Sequence, residues 1–515
     1  MDIKNFWNKK EWKTAPEYYA TVSALVYGML VHLFALTNMI HNHDNIASQP
    51  GGYGMGIELG RWFLEFLGRF CDKAGLNYNV PSINGMVYIA ILAVTAGFLV
   101  SALRIKNKLS AILVGALFVA FPTVTVAMAF RFTAVFYGIS TLFAVLAAWV
   151  LRRSRWGLPA SVILMALSMG IYQAYIPITI SIFVLQLICE GLRKEADAKT
   201  LIFHGLYDCL ALLLGLALYF LCVNITVAIT GDTFNASENL GMSSLSQLPL
   251  VVGNALRAVC MLPLQDYLGV ANRALMRISY LLLALCTAPL VVKMILKVVR
   301  NTASSVIICL LCPVFLLAVG FIEVMIDSKE IYTLMVYSFC LLACAPLAIV
   351  ECIPPEEQQQ KTEALFRNAI SFLVAVLVGF YGYYANVNYA AAYFAGEQID
   401  NYLSGVVLRT TMTEGFTTDK QWALLGDIQD PLLGGVWNDE ISYIGFWFTE
   451  HELNEYSRKD WIENYIGYDL PFADAQTVQD LAETEEVQAM PCYPNAGAIR
   501  VIGDTVVVKF QNTAE

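Results

Sequence analysis

The residues best able to do chemistry lie in short polar segments between long apolar runs. The first is His41-Asn42-His43-Asp44-Asn45. A carboxylate at the edge of an apolar region can serve as a general base, because partial burial raises its pKa towards working pH. Asp44 is the candidate; in open water it would be no more than a loop or capping carboxylate. The two histidines, His41 and His43, hint at metal ligation with Asp44, but His43 and Asp44 are adjacent and no third strong ligand group is evident. No metal ligands are assigned, and a divalent ion stays an open option.

The same segment continues through Gly51-Gly52-Tyr53-Gly54 to Glu58-Leu59-Gly60-Arg61-Trp62-Phe63. From Ile57 to Phe70 the apolar residues Leu59, Phe63, Phe66, Leu67 and Phe70 recur at helical spacing. This predicts an amphipathic helix lying at a membrane surface. Glu58 and Arg61, three apart, would share its face. As an exposed pair they would contribute little. As a binding group, the planar fork of Arg61 suits a phosphate.

Three further segments carry polar groups. Phe130-Arg131-Phe132 sets an arginine between boundary aromatics, where snorkelling alone would account for it. Gly170-Ile171-Tyr172-Gln173-Ala174-Tyr175-Ile176-Pro177 brackets polar and aromatic residues with Gly and Pro. Broken backbone at membrane depth is tolerated mainly where it lines a cavity. The region Gly231 to Arg277 holds Asn254, Arg257, Asp266, Asn272 and Arg273 among apolar residues, and a last segment holds Glu323, Asp327, Lys329 and Glu330.

The elements that must position these groups are membrane helices. The 515 residues are 57% hydrophobic and 14% charged, against roughly 25% charged in soluble proteins. The mean hydropathy is +0.58. A spanning helix needs about 20 apolar residues. Eleven such runs are predicted, near 18–40, 83–103, 109–128, 132–151, 157–171, 174–190, 204–229, 277–295, 303–322, 333–350 and 368–386. Residues 247–275 read as a re-entrant or interfacial helix pair. The basic N-terminal stretch lacks a cleavage site before the first run, which reads as a retained signal anchor. The twelve cysteines are scattered, mostly in apolar runs, and read as small apolar filler.

Basic residues give the direction. With a cytoplasmic N-terminus, the inward loops hold eighteen Lys and Arg, including Arg104, Lys106, Arg152, Arg153, Arg193 and Lys194, against eight in the outward loops. The candidate residues above then all face outward, and so does the chain end. Nearly all ionisable groups buried near the membrane are expected at that outer face, Asp208 being the ambiguous one.

Composition changes at Asn388. Beyond it lie twenty-one acidic and six basic residues. Two domains are expected: a membrane body over 1–387 and a small acidic α+β extracytoplasmic domain over 388–515. Helical stretches are predicted at Asp400–Thr411 and Gln476–Ala489. A β-hairpin is predicted over Ala498–Phe510, around Gly503-Asp504.

Taken together, several motifs resemble a known family. His43-Asp44-Asn45, Gly60-Arg61-Trp62, Gly170 to Pro177, and the tail Met490-Pro491-Cys492-Tyr493-Pro494 with Val506-Val507-Val508-Lys509 are similar, in that order, to the bacterial Gtr type II membrane glucosyltransferases that modify O-antigen. The resemblance implies a polytopic α-helical, GT-C-like fold of about eleven spans in the bacterial cytoplasmic membrane. It implies a polyprenyl-phosphate-linked sugar donor and an envelope glycan or polymer acceptor, O-antigen or a teichoic acid, with transfer on the outer face and inversion. The first-loop acid is the expected base, matched here by Asp44. Members often carry two adjacent acids there; this chain has Asn45, so Glu58 becomes the candidate second carboxylate. Arg61, Arg131 and Arg257 are candidates for the donor phosphate, and His43, Trp62, Tyr172 and Gln173 for sugar or acceptor contacts. Neither a cofactor nor a nucleic-acid partner is expected. Two other readings are a transporter or lipid-linked sugar flippase, which would need paired charges at mid-membrane, and a receptor whose C-terminal domain alone is active.

Overall fold

The computed structural model describes residues 14–42, 46, 51–54, 56–234, 245–296, 302–326, 331–354, 361–428, 443 and 455–512. The chain divides into two compact units. One comprises Met1–Leu36 and Tyr53–Asn386; the other comprises Thr37–Gly52 and Val387–Glu515. The segment Thr37–Gly52, which the sequence reading kept with the membrane body, thus groups with the C-terminal residues.

The first unit is a helical bundle. Its main helices are α1 (Pro16–Val31), α2 (Trp62–Ala74), α3 (Pro81–Leu103), α4 (Lys108–Ala120), α5 (Pro122–Ala129), α6 (Arg131–Val150), α7 (Gly157–Ile171), α8 (Ile176–Leu192), α9 (Ala198–Thr230), α10 (Leu248–Cys260), α11 (Ala274–Met294), α12 (Thr302–Val319), α13 (Cys340–Val350) and the start of α14 (Lys361–Thr411). Local chemistry sets several boundaries. The Asn107 side chain accepts from the Leu109 and Ser110 amides and so starts α4, while Asp197 does the same for α9 through Thr200. Pro122 has no N–H to give and pushes Phe121 to an extended ψ of 143°, which separates α4 from α5.

Among the described residues, eight helices are long and apolar enough to cross a membrane, counting α4 with α5 as one. Three of the eleven expected runs are shorter helices. The first stops at His32 after 16 residues, α7 has 15, and the 333–350 run opens as two 3-10 turns before α13. The expected pair at 247–275 is one 13-residue helix, α10. It is followed by turns in which the Asp266 carboxylate accepts the Gly269 and Ala271 amides at 2.9 and 2.8 Å. Burial pushes that carboxyl above its usual range. The α4–α5 pair is 94% buried within the bundle, whereas α9 is 17% buried and presents its apolar face outward, as a lipid-facing helix must.

Helices in lipid associate through close backbone approach rather than through burial from water. The α1–α4 contact shows this at Gly115, where a Cβ would lie 2.3 Å from the Ala20 carbonyl oxygen. Ser23 Oγ, in the same contact, donates to the Ile112 carbonyl at 3.0 Å.

The ionic groups of the bundle correct one expectation. Buried charge is not confined to the face carrying the candidate residues. At the opposite helix ends, Arg152 donates to Glu190 at 2.8 Å and to Asp208 through two nitrogens, and His204 meets Glu190 at 2.9 Å. Lys293 pairs with the buried Glu363 nearby in kind, at the end of α11. Glu190 and Asp208, on α8 and α9, become one network through Arg152 only because the helix ends meet.

The second unit contains a three-stranded sheet of order β1-β3-β2, with β1 (Gln421–Leu425) parallel to β3 (Thr505–Lys509) and β2 (Ile499–Ile502) antiparallel to it. The expected hairpin is present, turning through Gly503 at φ +59°. The central strand reads Thr-Val-Val-Val-Lys and is buried throughout, because both faces are covered. Val506 and Val508 pack with Ile399, Leu403, Trp422 and Trp461. Val507 packs with Val478, Val487 and Met490. Lys509 ends the strand inside, its Nζ donating to the carbonyls of Val487, Gln488 and Met490, each at 2.9 Å. The predicted helix at Asp400–Thr411 is the end of α14, and that at Gln476–Ala489 is two pieces, α16 (Ala475–Ala482) and the turn Glu485–Gln488, after α15 (Glu455–Trp461). All twelve cysteines are free thiols.

Replacing Gly115 by valine should force α1 and α4 apart, since a backbone oxygen cannot move as a side chain does. Overpacking of this kind costs about 1–3 kcal/mol. The check is thermal unfolding of the purified protein in detergent, where a clear drop in midpoint is expected for Gly115→Val and a smaller one for Gly115→Ala.

Candidate active site

The site begins at a break between helices. After Ile171 the chain leaves α7 at Tyr172, which is extended (φ −154°, ψ 105°), makes a 3-10 turn over Gln173–Tyr175, and resumes as α8 with Pro177 in its first turn. The Gln173 side chain fills the gap. Its Nε2 donates to the Leu59 carbonyl at 2.6 Å and to the Tyr219 hydroxyl at 2.9 Å. One amide therefore joins the break, the turn Ile57–Leu59 and the long helix α9.

Gly60 follows that turn at φ +71°, and a Cβ there would lie 2.5 Å from the Tyr219 hydroxyl. Both facts demand glycine. Arg61 then places its guanidinium over the Tyr172 ring, 5.0 Å from the centroid, an electrostatically favourable stacking. Trp62 starts α2 and lays its indole on Gly170; a Cβ at that position would sit 2.6 Å from Nε1. Gly60-Arg61-Trp62 and Gly170-to-Pro177, more than a hundred residues apart, are thus one contact set. Within it, Arg61 Nε and Trp62 Nε1 are buried, and no described residue accepts from either. Buried donors are normally paired, so these two stand out among the described residues.

A wall of aromatics stands behind the break. Tyr172 lies 4.8 Å from Tyr137 and 5.0 Å from Tyr175, and Tyr175 lies 5.9 Å from Tyr337. On the other side, Trp62, Phe63, Phe66, Glu65, Arg69 and Thr226 line a groove of about 370 Å³ between α2 and the end of α9. Glu65 there accepts from Tyr53 at 3.1 Å and from Arg69 at 2.6 Å. Burial, then the Glu65 charge, hold the Tyr53 phenol above its usual pKa, so it stays a donor.

The remaining candidates are placed as follows. The expected helix over Ile57–Phe70 is two pieces, because the left-handed Gly60 ends the first; Glu58 is exposed on the 3-10 turn and shares no helix face with Arg61. Arg131 is 2% exposed and does not snorkel. Its Nε donates to Asn79 at 3.2 Å, and its carbonyl accepts from Asn84. Arg257 is exposed in the last turn of α10, a helix that packs on α12 and on the turn Ile322–Met325. Tyr172 and Gln173 are buried, the former inside the aromatic wall and the latter inside the hydrogen bonds above. His43 and Asp44 lie outside the described residues. Among the described residues, no three His, Cys, Asp or Glu come together as a metal site. Sequence reasoning missed Tyr219, Glu65 and Asn79. Tyr219 could have been noticed as a hydroxyl within an otherwise apolar run.

Residues 33–343 match the family described as Glucosyl transferase GtrII. The chain belongs to that family. It is a membrane glucosyltransferase in kind, and the helices long enough to cross a bilayer agree with this. No curated protein matches the chain. The matched stretch includes the Asp44 segment, Gly60-Arg61-Trp62 and Gly170 to Pro177. The tail motifs near Met490 and Val506 lie beyond it.

Exchanging Gln173 for leucine should leave the Leu59 carbonyl and Tyr219 hydroxyl unsatisfied, at a cost of about 1–3 kcal/mol for each buried group. Detergent melting curves would register it. An unchanged midpoint would mean that the amide does not hold these three segments together.

Proposed function

We propose that this glucosyltransferase takes glucose from a polyprenyl-phosphate-linked donor and passes it to an envelope glycan or polymer at the outer face of the cytoplasmic membrane. The observation that carries this reading is the pair of buried donors on Arg61 and Trp62 without acceptors among the described residues, in a motif set that lies within the stretch matching the family. A lipid-linked donor keeps its phosphate at headgroup level, and its departure needs fixed positive dipoles aimed at the developing charge.

In the proposed step, Asp44 takes the proton of the acceptor hydroxyl. The acceptor oxygen attacks the anomeric carbon, the bond from that carbon to the phosphate oxygen breaks, and the electron pair leaves on the phosphate. Arg61 stabilises that charge, and the anomeric centre inverts. Of the three arginines considered, Arg61 suits the role best: Arg131 is engaged with Asn79, and Arg257 belongs to another helix group. Tyr172 and Gln173 serve this scheme by fixing Arg61 and its turn. His43 and Trp62 would meet sugar or acceptor, and Glu58 would be the second carboxylate. The transporter reading gains nothing from the buried charges, which gather at helix ends rather than at mid-length.

Two substitutions test the scheme. Asp44→Asn should express and fold as wild type yet lose transfer, read as the missing hexose mass on envelope polymers of a complemented deletion strain. Retained glucosylation would remove Asp44 as the base. Arg61→Ala should lower the transfer rate by about 10²–10³. Arg61→Lys should recover little of it, because a point charge does not replace the planar fork; full recovery would argue against a shaped phosphate contact.

A further inference from the structure

The end of the helical bundle away from the Gln173 break carries a second cavity. Helix α8 runs from the break to Arg193 over 17 residues, a rise of about 25 Å. There the ends of α3, α8 and α13 and the start of α14 enclose about 630 Å³. Arg104, Lys106, Arg193 and Arg367 line this cavity, with Glu195, Glu351 and Glu363. The carboxylates are engaged from within the bundle. Glu195 pairs with Arg104, and Glu363 pairs with Lys293. Glu351 accepts the Lys106 and Asn107 amides at 3.2 and 3.1 Å. The cations are used less fully. Arg193 gives one nitrogen to the Leu103 carbonyl at 3.2 Å. Among the described residues, nothing accepts from the Lys106 ammonium or the Arg367 guanidinium.

An apolar groove of about 580 Å³ begins at the same helix ends. On α8, Ile188 lines the groove and Leu192, one turn further, lines the cavity. On α13, Ile349 lines the groove and Val350 the cavity. On α11, Val292 and Ile295 belong to the groove, while Lys293 between them pairs with Glu363 of the cavity. Val292 is 54% exposed, so the groove opens outward between helices of spanning length. Basic residues at helix ends are expected from membrane topology alone. Topology asks only for charge in the loops. It does not ask for cations from three chain segments to line one cavity, or for an apolar groove to start beside it.

We propose that the cavity and the groove together hold one anionic phospholipid, with its phosphate at Lys106, Arg193 and Arg367 and an acyl chain in the groove. The planar fork of an arginine takes two phosphate oxygens at once, and Lys106 adds a point charge. Basic pockets between membrane helices hold acidic headgroups in this way. An acyl chain gains little by leaving other lipid for the groove, since both surroundings are apolar. The cations therefore decide which lipid stays. Bound there, the lipid ties the turn after α3 to the ends of α8 and α13 and to α14, at the end of the bundle remote from Arg61.

The test uses the full chain, purified in detergent and stripped of lipid, with phosphatidylglycerol, phosphatidylcholine or inorganic phosphate added back. Native mass spectrometry counts the bound lipid, and the thermal midpoint is followed against ligand concentration. One phosphatidylglycerol should stay on each chain and raise the midpoint until the site is full. Phosphatidylcholine, whose headgroup has no net charge, should bind more weakly by about 10-fold or more. Lys106→Ala and Arg367→Ala should each weaken phosphatidylglycerol by about 10- to 100-fold. Lys106 is exposed, so its removal leaves the lipid-free midpoint unchanged. Ala288→Phe should fill the groove from an exposed position and also release the lipid. If inorganic phosphate raises the midpoint as far as phosphatidylglycerol does, the cavity takes free phosphate and the lipid assignment is overturned. If the two lipids bind alike, or if both charge variants keep phosphatidylglycerol as the wild type does, the cations select nothing and the proposal is overturned. Full retention in Ala288→Phe would overturn the placing of the chain.

Discussion

A single side-chain amide, that of Gln173, is the constraint on which the proposed site depends. A break between two helices at membrane depth leaves backbone groups and a gap that lipid cannot satisfy. Gln173 closes the gap with both of its N–H groups, one on the Leu59 carbonyl and one on the Tyr219 hydroxyl. The turn before Gly60 is thereby held against the break, and Arg61 has no choice but to lie on the Tyr172 ring. Gly60 and Gly170 are the counterpart of that amide: each removes a Cβ where the chains close on one another. In a low-dielectric surrounding such bonds are strong when made and costly when missing.

The two ends of the bundle use charge in opposite ways. At one end Arg152 is saturated by Glu190 and Asp208, so its charge is spent on holding helices together. At the other, Arg61 is half-buried, and its buried Nε has no acceptor among the described residues. A satisfied ion pair resists change, whereas an unsatisfied donor is a standing demand for an acceptor. This difference, rather than the mere presence of arginine, separates the two ends. Arg131 belongs with the fastenings through Asn79, although its sequence setting resembles that of Arg61.

What could be read from the sequence divides along the same physical line. Local signals were legible: Gly170 and Pro177 announced the break, and the β-branched runs around Gly503-Asp504 announced the hairpin. The Ile57–Phe70 periodicity misled, because period alone does not register a left-handed glycine at position 60. Partners distant in sequence were not legible. Nothing near Arg131 points to Asn79, nothing in the apolar run of α9 marks Tyr219 as the acceptor for Gln173, and Asp208 meets its counter-ion Arg152 only across helix ends. The membership of Thr37–Gly52 in the C-terminal unit was hidden for the same reason, since the aromatic residues that hold His41 come some four hundred residues later.

That distance has a consequence for how the protein comes into being. A ribosome delivers Thr37–Gly52 well before Trp461, Tyr465 and the strand ending at Lys509. Until those residues are made, Ile46 has no core to enter and His41 has no rings to stand against. The order of synthesis thus runs opposite to the order of packing: the segment made early is held by residues made some four hundred positions later.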